Sequence, residues 1–516
     1  MRTRHAALAS LGILIAASFW QMAGCSLAAD DCSRNNTCAE DGKPYQGGAE
    51  VPEECRALPS AEPSVIKDEC GVFVSALAAD GGDGTKAKPF KSLQAAVDKA
   101  RTVTARIYAC ADGDYAERVD VPAGVSIFGG FDCQGAEWNY DTTKKARINP
   151  PEPASPDEVQ ASLRVVGAQT TRLEDLRIEA ANATLKGGSA IALIVDGATV
   201  NFVRTELIAG NGNDGAQGVT PTDDIGPSDP DDLNIRGNSG QNACMGGAGG
   251  NPGGAAKANP ICNESSGGKG GNGQETSGDV GGDGIPAPNP NPNNRGVGGL
   301  GDTGAGDCET GQPGANGTIG SDGAGGMNDG ALDASKGHIG VSGQPGGKGT
   351  IGQGGGGGGG SKGKSGCFGA SGGGGGAGGC GGNGGFGGMA GGSSIGIVSI
   401  GATLSFQMVG ITTGAGGYGG DGGFGQAGGN GGNGGNGGSG ATMGGATPYG
   451  CNGGPGGNGG DGGTGGGGRG GHSLGIAYRG GNVSEAGATI TTGTAGPGGM
   501  GGGAMGGVQA PLHGFP

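Results

Sequence analysis

The chain has 516 residues, 137 of them Gly, and all but 19 of those glycines lie beyond residue 210. Hydrophobic residues make up 33%, aromatics 4% and charged residues 15%, which excludes a conventional packed core for the C-terminal three-fifths; 26 Pro without a sustained Gly-X-Y frame also exclude a collagen. The formal net charge of −16 disfavours anionic partners, so no nucleic acid is expected.

Arg2, Arg4 and His5 form a basic start, and Ala6 to Trp20 an apolar run too short for a comfortable membrane span. Met22-Ala23-Gly24-Cys25 follows. This resembles the lipobox of bacterial lipoproteins, although Met22 stands where Leu is usual. The resemblance implies a signal peptide over 1–24, lipidation of Cys25, and anchoring by acyl chains without a spanning helix. Ser26 after the Cys implies, in that family, export to the outer membrane; the alternative is ordinary secretion with cleavage after Ser26-Leu27-Ala28. Loss of Arg2 and Arg4 takes the formal charge from −16 to −18.

With Cys25 lipidated, 12 of the 13 Cys remain. Cys32, Cys38, Cys55 and Cys70 lie in a polar stalk over 25–70, and Cys110 and Cys133 follow. Cys244, Cys262, Cys308, Cys367, Cys380 and Cys451 lie in the Gly-rich part. No Cys-x-x-Cys pair occurs, so disulfides in an oxidising compartment are expected rather than zinc.

From Gly71 a short strand, Gly71–Ser75, precedes a turn cluster at Gly81–Thr85 and a helix from Pro89, with Phe90, Leu93, Val97 and Ala100 on one face. This block resembles the N-terminal entry of secreted right-handed parallel β-helix proteins of the pectin-lyase-like kind. In that family the helix caps the solenoid end. Further strands are predicted at Ala105–Cys110, Glu117–Val121, Val125–Phe131, Ser162–Val166 and Arg172–Glu179.

An internal repeat then appears. Residues 197–210 align without gaps on 401–414 and on 480–493, and each copy follows a strand beginning with Ser189, Ser394 or Ser473. One copy of 21 or 22 residues suits three short strands and their turns, hence one turn of a β-helix. Solenoid copies stack on neighbours, so the three should lie side by side. The predicted organisation is therefore a β-helix over 71–210, a Gly-rich insertion over 211–393, a turn at 394–414, a second insertion over 415–472, a turn at 473–493 and a Gly-rich tail over 494–516. All the Gly-rich segments should leave from one corner.

Within them the chain reads in triplets, as from Gly419 (GGD-GGF-GQA-GGN). Triplets suit an extended left-handed conformation with three residues per turn. Ordering such a chain costs about 1–2 kcal/mol per residue with little apolar burial in return. Disorder is the expectation for 220–300, where Pro and Asn runs interrupt the period, and the triplet zones are open to either state. If all six Cys here pair among themselves, one bridge must join the two insertions, because only Cys451 lies in the second.

Chemistry is sparse. A glycosidase of this fold needs two carboxylates at one spot. The candidates, Asp223-Asp224 and Asp231-Asp232, sit amid prolines in the first insertion, and no enzyme is expected. Asp421 and Asp461 end matches to the Gly-Gly-x-Gly-x-Asp opening of calcium-binding repeats. The copies are isolated and lack the following apolar residue. Calcium is thus the one cofactor in question, and the expectation is none.

Signal, β-helix entry and Gly-Gly-x tracts together resemble the glycine-rich PGRS-type surface proteins and exported Gly-rich lipoproteins of diderm bacteria. The expected class is all-β: a short right-handed parallel β-helix with an N-terminal capping helix and long Gly-rich insertions. The resemblance implies a non-enzymatic structural or adhesive lipoprotein at the cell surface or outer membrane, with extracellular polysaccharide or surface proteins as partners. The alternative is a carbohydrate-binding or carbohydrate-active β-helix protein.

Overall fold

The computed structural model describes residues 51–516 apart from 134, 136, 156–157, 246–248, 305–306, 365 and 443–447. The expected signal peptide, Cys25, Cys32 and Cys38 lie outside the described residues. Three sheets of parallel strands dominate the first half of the chain, and the one α-helix among the described residues is α1, Leu93–Val103.

Numbered along the chain, the first sheet runs β1 (Val72–Val74), β2 (Arg106–Cys110), β5 (Ser126–Asp132), β9 (Thr170–Glu174), β12 (Thr199–Val203) and β17 (Thr403–Gln407), with β6 (Asn139–Tyr140) antiparallel on β5. The second runs β3 (Asp114–Tyr115), β7 (Ala146–Ile148), β10 (Leu176–Ala180), β13 (Glu206–Ala209), β18 (Val409–Thr413) and β20 (Ala488–Thr491). The third runs β4 (Val119–Pro122), β8 (Ala161–Val166), β11 (Ala190–Asp196), β16 (Ser394–Ile400), β19 (Ser473–Arg479) and β21 (Gln509–Gly514). From β8 to β19, apart from one hairpin, the chain visits the third, first and second sheets in turn, and it then passes from β19 to β20 with only an isolated bridge from Asn482 to Thr403.

The look-alike stretches are neighbours, and their sequence alignment is their strand register. Thr199 pairs with Thr403, Glu206 with Gly410 and Val409 with Ala488. The strand before the first copy departs by one residue: Ala190, not Ser189, stands opposite Ser394, which in turn faces Ser473.

A round of three strands fits a short copy because the chain turns sharply at fixed points. Asp175, Arg204, Met408 and Gly487 all take positive φ between the strands of the first and second sheets. Asp175 therefore splits the single predicted strand Arg172–Glu179 into β9 and β10. An Asp tolerates that conformation better than most side chains.

The inward faces share one apolar core, including Leu163, Leu173, Ile178, Leu193, Phe202, Ile397, Ile411 and Ile476. The Phe202 and Phe406 rings of adjacent copies stack with centroids 5.2 Å apart. Ser92 caps α1, its Oγ accepting from the Ala95 N–H at 3.1 Å. Leu93, Ala96, Val97 and Ala100 are buried against β1, β2 and β4, at the start of the sheets.

The Gly-rich excursions leave after β13, β18 and β20, all in the second sheet, and return into β16, β19 and β21, all in the third. The expectation of disorder over 220–300 is corrected, because the segments pack into a bundle with a regular backbone ladder. The N–H groups of Gly376, Gly379, Gly382 and Gly385 donate to the carbonyls of Gly454, Gly457, Gly460 and Gly463 at 2.9–3.0 Å. Those of Gly346, Gly349 and Gly352 donate to Gly385, Gly382 and Gly379 in the opposite sense. Residues 251–302 join through bonds such as Gly270 to Gly254 and Gly281 to Gly299. Weighing apolar burial alone misses this, since here buried peptide groups satisfy one another.

Glycine is required at these contacts. A Cβ on Gly376 would stand 1.9 Å from the Gly432 carbonyl oxygen, far inside van der Waals contact. The tail also needs correction: it is Gly-rich only to Gly507, and then closes the third sheet as β21. A hairpin, β14 (Ala331–Asp333) and β15 (Gly337–Ile339), interrupts the first excursion and packs Leu332 on Ile191, Ile194 and Ile395, outside the third sheet.

Candidate functional site

The paired acids singled out from sequence act as local caps. Asp223 Oδ2 accepts from Asn383 Nδ2 at 2.8 Å, Asp224 Oδ1 from the Gly226 N–H at 2.9 Å, Asp231 Oδ1 from Asn433 Nδ2 at 3.0 Å and Asp232 Oδ1 from the Asn234 N–H at 2.8 Å. Asp421 Oδ1 accepts the Met500 N–H at 2.7 Å and Asp461 Oδ1 the Gly428 N–H at 2.8 Å. This is a rule of the bundle surface. The N–H of a triplet's third or first residue points outward, and a short polar side chain of the adjacent segment accepts it, as from Tyr418 to Asp214, Thr464 to Asp322 and Gly431 to Asn458. Asn and Asp recur at that place for this reason.

Among the described residues, the one group of three potential metal ligands with donor atoms within 4.8 Å of one another is Cys110, Asp112 and Cys133. Cys110 and Cys133 are joined as a disulfide, which removes both thiolates. Cys55–Cys70 closes the described part of the stalk. Cys244–Cys367 and Cys262–Cys380 lie within the first excursion, and Cys308–Cys451 joins the first to the second.

The structure brings together a buried acid cluster that sequence reading missed. Glu174 and Asp175 are fully buried at the corner between β9 and β10. Arg204, at the same corner one round later, bonds Asp175 through Nε at 2.7 Å and also reaches Glu174. Arg172 bonds Glu174, Tyr140 bonds Asp175, and Ser60 Oγ donates to Glu174 at 3.0 Å. Burial pushes the Glu174 carboxyl up, but hydrogen bonds from Arg172 and Arg204 outweigh it and hold it below its ordinary value. Burial and the Asp175 contact push the Tyr140 phenol up. Glu174 stays ionised and both carboxylates are clamped by arginine, so the cluster acts as a corner staple. The signal was available: Asp175 and Arg204 occupy equivalent places once Thr170 is set opposite Thr199.

A second cluster lies where the bundle meets the third sheet. His338 of β15 and His472, just before β19, both direct Nε2 at the Asp329 carbonyl oxygen, at 2.9 and 3.0 Å. His513 of β21 contacts Asp329 Oδ2 at 3.0 Å, and Arg469 pairs with Asp329 Oδ1 at 2.6 Å. His472 Nδ1 accepts the Val508 N–H at 2.8 Å. That donor makes Nδ1 the unprotonated nitrogen, so Nε2 carries the hydrogen and points at a carbonyl, the wrong form for a metal ligand.

The far end of the bundle is tied by Cys244–Cys367 and Cys308–Cys451. A cleft of about 720 Å³ opens there, lined by Glu275, Asp302, Asp307, Lys362, Lys364 and Pro448. Its charges are of both signs. Asp302 already accepts from the Lys362 and Gly304 N–H groups, and Glu275 from that of Gly366.

No protein-family model, curated protein or solved structure matches this chain. None of the described helices is long and apolar enough to cross a membrane.

Proposed function

We propose that this protein is an exported, non-enzymatic structural or adhesive lipoprotein of a diderm cell surface, anchored through Cys25 and displaying a stiff glycine bundle. In this reading the three sheets are the faces of one short right-handed parallel β-helix, with α1 as its N-terminal cap. The rotation of the chain through the sheets, the shared register and the common apolar core favour that reading.

The observation that carries the function is the bundle itself. Over a hundred residues are ordered backbone against backbone, with polar side chains kept for capping at the surface. Such an arrangement supplies stiffness and reach. At the sheets, the buried acids Glu174 and Asp175 are held by arginines, which disfavours them as the acid–base pair of a carbohydrate-cleaving site.

Two measurements test the proposal together. Labelled palmitate should enter the wild-type chain in a diderm host and not a Cys25→Ser variant. The purified protein should release no reducing sugar or unsaturated product from a panel of acidic polysaccharides. Product formation overturns the non-enzymatic reading, and unlabelled wild-type protein overturns the anchor.

A further inference from the structure

We propose that the histidine cluster is an acid-released latch that holds the C-terminal strand β21 on the third sheet. Three of the chain's four histidines meet here, on three separate elements: hairpin β15, the end of the second excursion, and β21. Two of them hold the C-terminal segment directly. The Val508 N–H, next to β21, donates to His472 Nδ1, and His513 contacts the Asp329 carboxylate. Phe515 then covers the site, its ring centroid 5.1 Å from that of His513, 5.5 Å from His338 and 5.8 Å from His472.

The hydrogen bonds set the direction of the switch. His338 Nδ1 contacts Ser393 Oγ at 3.0 Å, and Ser393 Oγ itself accepts the His472 N–H at 2.9 Å. His338 Nε2 faces a carbonyl oxygen and so carries the ring hydrogen, which leaves Nδ1 to accept the serine hydroxyl hydrogen. Both imidazoles thus use Nδ1 as an acceptor and Nε2–H as a donor, and both are neutral. A proton added at His472 Nδ1 meets the Val508 N–H already aimed at it, so that bond must break, whereas at His338 the Ser393 hydroxyl can turn and accept.

The titratable and charged groups facing the rings are Arg469, His513 and Asp329. Burial pushes His338 below its ordinary value, with Arg469 and His513 adding to it against Asp329. Burial, then the neighbouring His338, holds His472 down to about 4. A folded value below the unfolded one means that the latch is fully engaged above about pH 6.5 and weakens as the pH falls from there towards 4. Release would uncover the edge of β19, where Leu474 faces Ala510 and Ile476 faces Leu512. The other rounds contain no histidine and would keep their pairing.

Hydrogen exchange on the full mature chain, corrected for intrinsic rates, tests this. Between about pH 7 and about pH 5, protection over 505–516 should fall at least about tenfold while that over 190–196 holds. In a His472→Asn variant the amide oxygen still accepts the Val508 N–H but cannot take the proton, so the loss should shrink by roughly tenfold for the one proton removed. Unchanged wild-type protection over 505–516, loss of equal size over 190–196, or an equal loss in the variant overturns the proposal. The wild-type profile decides the matter even where the variant fails to fold.

Discussion

At Gly376 the only side chain that fits is a hydrogen atom, because the Gly432 and Asn433 carbonyls of the neighbouring segment occupy the place of a Cβ. A Gly376→Ala variant should lose about 1–3 kcal/mol or more through forced separation of the ladder. Exposed Asn436→Ala should stay within about 0.5 kcal/mol; denaturant melts of both check this. Asp421 and Asp461 are the converse case, side chains whose task is to accept a neighbour's N–H. Millimolar calcium should accordingly leave the melting temperature unchanged, which a calorimetric scan with and without the ion would establish. At the corner staple, Arg204→Met leaves Asp175 buried without its cation and Glu174 with Arg172 alone, and should cost about 3–5 kcal/mol. Glu174 and Glu179 both sit below the ordinary carboxylate value, burial being outweighed in each by arginine hydrogen bonds. A lowered carboxylate value stabilises above the unfolded value near 4.3 and is lost as the pH falls through it. The corner held by these arginines should therefore weaken as the pH falls below about 4.3, at the acid end of the range in which the histidines act.

Among the elements, glycine content per triplet reports how many sides of a segment are covered. Residues 212–220 carry one Gly per triplet and run along a corner of the bundle, 428–438 carry two and form a face, and 354–360 are Gly throughout and buried. That last stretch is the one covered by 266–285 and 297–300. The sequence shows these counts plainly, yet composition alone could not say that they meant coverage, because disorder leaves the same signature. The repeats were legible because copies that stack in register keep similar residues at similar places, as Thr199 and Thr403 do. The latch and the staple were not, since Asp329 lies far along the chain from His472 and His513, and Asp175 looks like one more acid in a strand. Disulfide partners were equally hidden: parity required a bridge between the excursions, but only the fold seats Cys308 by Cys451. Replacing both with Ser should cost about 2–4 kcal/mol. Hydrogen exchange should show the loss at the far end of the bundle, with β8 to β13 unaffected.

For the molecule as a whole, the difficulty is where such a lattice stops. A backbone ladder has no intrinsic edge, and any exposed triplet of three glycines would accept another segment, as 354–360 do inside the bundle. The outer residues end the growth. Asn433, Asn436 and Ser439 are exposed at every third place of the second excursion, beside residues 237–243 whose N–H groups take their carbonyls, and their side chains fill space that a further segment would need. At the sheets the same task falls partly to Pro511, which removes an N–H from the terminal strand β21. Replacing Asn433, Asn436 and Ser439 together by Gly removes the barrier on that face while leaving the interior untouched. The variant should associate, copy against copy, to a degree that rises with concentration. Sedimentation velocity beside wild type would reveal it as a shift to larger species, and an unchanged distribution would mean that side chains are not what limits the lattice.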